Sequence, residues 1–224
     1  MKFINSVAEF LEVVDDFGRR GVLYRGHTKS SYTLTPSIGR YRAKSIERGY
    51  DIEKKEQNSL SVFEAEYKQY TEVNLKSKWE LLALAQHHGL PTRLLDWSLS
   101  PLVALYFSVE NNSGEDASIY TLQHSEWLYG ENSLKKDPFS ITKSFIYMPD
   151  HITPRLRAQQ GVFTIQPNID GELDLPEIEK YIIPNEKVDE IKWQLFTYGI
   201  TPKTIYPDLD GLCADLKWSQ FEGF

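Results

Sequence analysis

The sequence predicts an α+β protein, a split β-sheet flanked by helices, and three observations lead there. Apolar residues recur at helical spacing mostly before residue 110, short β-prone runs fall mostly after 115, and no regular strand–helix alternation or repeat links them. We expect one domain over 1–224, with a helical part over about 1–110 and a strand-rich part over about 115–224.

Taken in order, residues 4–17 place Ile4, Val7, Phe10, Leu11 and Val14 on one helical face, with Asn5 or Ser6 as cap and Gly18 and Gly21 as stop. VLYRGH turns from apolar to polar, which predicts a short strand at 22–25 reaching a sheet edge. SYTLTPSIGR is loop and extended chain. Ile46 to about Gln86 is helical with a break near Thr71–Lys76, stopped by Gly89 and Pro91. Ser98 or Ser100 caps a helix with Pro101 in its first turn. ASIYTLQ and GVFTIQP are strands, with an irregular insertion over 124–152 between them. YIIP is another strand, EKVDEIKWQLFTYG an amphipathic helix, and TIYPDLDGLCADLKW a closing strand, loop and helix.

Composition excludes several classes. With 224 residues, 41% hydrophobic and 13% aromatic, the chain can bury a sizeable core, so disorder is excluded as its overall state. Cys213 alone rules out an intrachain disulfide and a multi-cysteine zinc site, and fits a reducing, cytoplasmic setting. The N-terminal segment is broken by Glu9, Glu12, Asp15 and Asp16, unlike a signal peptide, and no window reaches the ~18 apolar residues of a membrane span.

The net charge of −7 hides an asymmetry. Arg19, Arg20, Arg25, Lys29, Arg40, Arg42, Lys44 and Arg48 face only Glu47 between residues 19 and 50, a local balance of +7 that leaves −14 for the remainder. One cationic stretch in an acidic chain suits a phosphate-bearing ligand at one place, or a loop whose charges pair with the acidic remainder. The densest chemistry lies in AQHHGLPTRLLDWSLSPLVALYF, 85–107. His87 and His88 point about 100° apart on a helix and no HExxH is present, so no metal site is expected. No GxSxG motif is present either. Arg93 and Asp96 read as an ion pair that knits the loop to the next helix.

YRGH at 24–27, QHHGLPTRLLDWSLSPLVALYF, RLRAQQGVFTIQP at 155–167 and LFTYGITPKTIYPDLDGL at 195–212 resemble the FRG domain family over about residues 18–217. A second resemblance is to ADP-ribosyltransferases, whose three motifs sit on a split sheet. It implies that Arg25 holds an oxygen of NAD, with Gly26 letting the backbone approach and His27 beside them. It implies that Thr92, Arg93, Trp97, Ser98 and Ser100 shape the second part of the NAD site. The hydroxyls come from Thr92, Ser98 or Ser100, a helix start offers amides to pyrophosphate, and Trp97 stacks on a ring. Gln159 and Gln160 stand where transferases place Glu, and an amide lacks the charge that stabilises a cationic sugar. Asp96 is then a candidate acid, as are Glu64, Glu66 and Glu80, which otherwise read as ordinary helix positions.

The expected function is transfer of ADP-ribose from NAD to a nucleic acid, a DNA base first and RNA or protein otherwise, in a toxin or phage-defence setting without a metal. The alternatives are a non-catalytic nucleotide- or nucleic-acid-binding module, favoured by the Gln, and an NAD glycohydrolase.

Overall fold

Strands β1 (Lys2–Phe3), β2 (Leu23–His27) and β3 (Leu94–Ser98) come from the first half of the chain. The second half supplies β4 (Ala117–Leu122), β5 (Trp127–Leu128), β6 (Phe145–Tyr147), β7 (Gly161–Ile165) and β8 (Ile178–Ile183). The computed structural model describes residues 2–18, 21–128, 134–150 and 153–222. Among them these eight strands form one mixed sheet, ordered β1-β8-β4-β2-β3-β7-β6-β5, parallel at β1–β8 and β5–β6 and antiparallel elsewhere. Arg19 and Arg20 of the cationic stretch lie outside the described residues.

The α+β class is therefore observed, but both halves of the chain build the sheet. Its order also interleaves them, because β2 and β3 lie between β4 and β7. β2 and β4 pair along five residues and β3 and β7 along another five, whereas β2 and β3 pair only at Tyr24–Ser98. Beyond that pair the two strands part, and the sheet has a seam at its centre.

Helices are α1 (Val7–Asp16), α2 (Arg42–Glu47), α3 (Ile52–Glu66), α4 (Lys78–His87), α5 (Pro101–Val109), α6 (Pro154–Ala158), α7 (Asn185–Thr197), α8 (Pro202–Ile205) and α9 (Leu209–Lys217). Helices α1, α5 and α7 bury Phe10, Leu105 and Ile191 against Tyr24, Ile119 and Tyr181 of one half-sheet. Helices α3 and α4 bury Leu60, Trp79 and Leu82 against Leu94, Phe163 and Ile165 of the other. Alternation along the strands sends Leu23, Leu95, Trp97, Tyr120 and Val162 into a third cluster with Leu34 and Leu173.

Local signals decide several boundaries. Ser6, not Asn5, caps α1 by accepting from the Glu9 amide, so Ile4 precedes the helix, and Leu11 is 37% exposed rather than on the buried face. Ser100, not Ser98, caps α5. The helical stretch begins at Arg42 and is interrupted over residues 48–51 as well as between Gln69 and Lys78. The segment expected as a closing strand is helix α8. Pro202 in its first turn and reciprocal bonds between Thr201 and Thr204 override the β-branched composition of TPKTIY at 201–206.

Candidate functional site

At the seam a cleft of about 430 Å³ opens between β2, β3, the start of β7 and the ends of α4 and α6. Alternation puts Tyr24 and Gly26 toward α5 and Arg25 and His27 away from it. Gly26 is required there by packing. A Cβ on it would lie 2.0 Å from the Ala104 carbonyl oxygen and 2.5 Å from the Ser108 nitrogen, so its missing side chain lets β2 touch the α5 backbone. The close approach it permits is to a helix, where a ligand was expected. Gly26→Ala is expected to lose about 2 kcal/mol of stability by forcing strand and helix apart, read as a lowered urea midpoint at unchanged m-value.

Arg25 crosses the seam. Its Nη1 donates to the Asp96 carbonyl oxygen and stands 3.8 Å from the Asp96 carboxylate, and its Nε donates to His27 Nε2 at 2.9 Å. The guanidinium side chain is only 15% exposed, and burial pulls its pKa down while Asp96 opposes that pull. As an acceptor at Nε2, His27 carries its proton on Nδ1 and is neutral. Burial first, then the Arg25 charge, pushes its pKa down to about 3, and burial with the neighbouring His88 pushes His87 down to about 4. A histidine held below its ordinary value favours the fold above pH ~6.5 and loses that contribution as pH falls through the folded value. The melting temperature is therefore expected to drop between pH 6.5 and 4. His27→Gln, whose amide oxygen still accepts from Arg25, should flatten the drop, and parallel slopes for the two proteins would refute the assignment.

Asp96 is the exposed member of β3, with its side chain 56% accessible. Gln86 Nε2 donates to its Oδ2 at 2.9 Å, and the Gln86 carbonyl accepts from Thr92 Oγ1 at 2.7 Å. Thr92 is thus fully buried and orients Gln86, which orients Asp96. Among the described residues lining the cleft, Arg25, Arg40 and Arg155 oppose Asp96 as the sole carboxylate. Arg40 is exposed and makes no ion pair among the described residues, and Arg155 stacks on Tyr206 at 4.3 Å. Tyr32, 48% exposed, and Phe107 supply aromatic wall. The arrangement offers cations to an anion, a fixed carboxylate beside them, and rings to a planar group.

Of the expected residues, Arg25, Gly26, His27, Asp96, Trp97, Ser98 and Gln159 line this cleft, and Thr92, Arg93, Ser100 and Gln160 do not. Trp97 is 3% exposed in the core, its Nε1 donating to Thr164 Oγ1, so stacking falls to other rings. Ser98 Oγ donates to the Gln159 carbonyl and accepts from the Ser100 amide, tying β3 to the end of α6. With Ser100 Oγ accepting from the Val103 amide, two of the amides expected to face pyrophosphate are already occupied. Gln160 is exposed at φ 46°, where its backbone turns α6 into β7.

Arg93 does not pair with Asp96. It lies 2% exposed, its Nε and Nη2 donating to Glu56 at 3.1 and 2.9 Å and its backbone amide to the same carboxylate at 2.7 Å. Glu64 and Glu66 are exposed on α3 and Glu80 is buried near the start of α4, and none lines the cleft. Gln86, His87, Arg40, Arg155, Tyr32 and Phe107 entered the cleft without having been selected as NAD-site residues. Gln86 and Arg155 were within reach of sequence reasoning, because they sit in the AQHHG and RLRAQQG blocks beside residues that were chosen.

No group of three or more His, Cys, Asp or Glu side chains among the described residues is arranged to hold a metal, and no described helix is long and apolar enough to cross a membrane.

The sheet parts at its centre, with a YRG strand on one lip and the LLDWS strand on the other. The model of the FRG domain family matches residues 20–117, which span both lips and α5. The chain carries an FRG domain. No curated protein and no solved structure gives a significant match.

Proposed function

We propose that the chain, read as one domain over 1–224, is an ADP-ribosyltransferase-like protein that binds NAD at the seam and transfers ADP-ribose to a nucleic acid base in the cytoplasm, in a toxin or phage-defence setting. The observation that carries the reading is convergence. Arg25, Asp96, Ser98 and Gln159 stand up to 134 residues apart in sequence and line one cleft where the two half-sheets part. Arg25 with Arg40 suits pyrophosphate, and Tyr32 and Phe107 suit the flat rings. Asp96 takes the place of the missing Glu beside the sugar that becomes cationic as nicotinamide leaves. The ADP-ribosyltransferase-like fold is supported by the single-pair seam.

Calorimetry with NAD and ADP-ribose, together with transfer of labelled ADP-ribose to DNA, RNA and protein, tests the reading. NAD is expected to bind and a nucleic acid to become labelled, and Asp96→Asn should slow turnover about a hundredfold while changing NAD affinity little. Absence of NAD binding would sink the proposal. A second reading, a binding module without turnover, is favoured by one observation: the Gln159 amide reaches back to the Ile205 carbonyl at 3.4 Å and carries no charge. NAD bound and recovered intact with every acceptor would support it, and free ADP-ribose alone would identify a glycohydrolase.

A further inference from the structure

Beside the seam cleft lies a second one of about 690 Å³, and the two share His87 and Arg155 as a common wall. Its far side is aromatic. Phe63 and Tyr67 stack with ring centroids 6.0 Å apart and planes 18° apart, and Tyr70 stands 82% exposed at the rim. A large ring left in water beside a stacked pair offers a platform to another planar group. The cleft holds one fixed cation, Arg155, stacked on the Tyr206 ring at 4.3 Å, on the wall it shares with the seam cleft. Asp208, the lining carboxylate among the described residues, is engaged in capping α9 through the Gly211 amide at 2.8 Å.

We propose that this second cleft binds single-stranded nucleic acid, with an unpaired base stacked on Tyr70 and its phosphate held by Arg155. Exposed and stacked rings beside a guanidinium match that ligand, because every base has a π-face and every nucleotide a negative charge. An apolar peptide would instead desolvate Arg155 and both histidines without compensation.

The base's role as acceptor rests on the transferase reading; its binding does not. In transfer, a nitrogen of the base bonds to ribose C1′ as the C1′–nicotinamide bond breaks, the bond electrons leaving on neutral nicotinamide. The proton released by the base passes to the imidazole of His87, which faces both clefts.

The test is fluorescence anisotropy with labelled single strands of about 12 nucleotides, in DNA and RNA arms, with a duplex of the same sequence as comparison. Single strands of one or both kinds should bind. Tyr70→Ala should raise Kd between about 5- and 150-fold, the worth of one stacked base. Trp193→Ala, removing a half-exposed ring on α7, should not. Absence of single-strand binding, a duplex bound as tightly, or an unchanged Kd in Tyr70→Ala would overturn the proposal, as would labelling of protein without oligonucleotide binding. NAD calorimetry on the same variants should show no change. If the parent chain itself fails to bind NAD, the nucleotide reading falls while the oligonucleotide titration still decides this one.

Discussion

Arg25→Ala is expected to bind NAD at least about a hundredfold more weakly than the parent chain, a loss of about 3 kcal/mol. Two effects add. The variant removes a charged fork aimed into the cleft, worth about 1.5–3 kcal/mol against a phosphate. It also removes the link from β2 to the Asp96 carbonyl that holds the lips of the cleft at their separation. Arg25→Lys keeps the charge without the fork, so it should recover only part of the affinity. Calorimetry reads both variants, and an Arg25→Ala protein that binds NAD as the parent does would remove Arg25 from the site.

Arg93→Ala should instead act on stability, costing about 3–5 kcal/mol because it leaves the Glu56 carboxylate buried without its counter-ion. For a chain of this size that lowers the melting temperature by about 10 °C. Replacing both partners, Arg93→Met with Glu56→Leu, should restore part of the loss, because no charge is left stranded although the buried amide of residue 93 loses its acceptor. Thermal melts of the two single variants and the double variant form a cycle. A double variant no more stable than Arg93→Ala would show that the contacts with Phe139, 4.6 Å from the guanidinium, matter more than the ion pair.

The misassignment of Arg93 shows what could be read from the sequence and what could not. Helices α1, α3, α4, α5 and α7 announce themselves through apolar spacing and caps, and β2, β4, β7 and β8 through short β-prone runs. Those are local properties. The partner of Arg93 lies 37 positions upstream on α3, whereas the acid nearest in sequence, Asp96, turns to α4 and the seam. Proximity along the chain suggested a pair that strand geometry forbids. Trp97 is a case where a stricter use of period two would have sufficed, since it shares a strand face with the apolar Leu95 and both are buried. Arg25, Asp96 and Gln159 could be chosen by chemical type, but neither the strand order nor the single pairing that brings their lips together follows from any local pattern. For α8 the decisive signal, Thr201-Pro202 with Thr204, was present and was outweighed by the β-branched residues around it.

The single pairing at Tyr24–Ser98 also gives the molecule its mechanics. A sheet resists bending across its strands because each is fastened to its neighbour at several points. Here each half is fastened internally along five residues on either side of the seam, and the halves to one another at one. Within the sheet two stiff plates are thus joined by one rivet and one strap, the Arg25 guanidinium, backed by the buried cluster of Leu23, Tyr120, Leu95 and Trp97, and the line with fewest backbone bonds runs through the candidate binding site. A ligand that engages both lips acts as a clasp, and its arrival is registered as lost motion between the plates more than as new secondary structure.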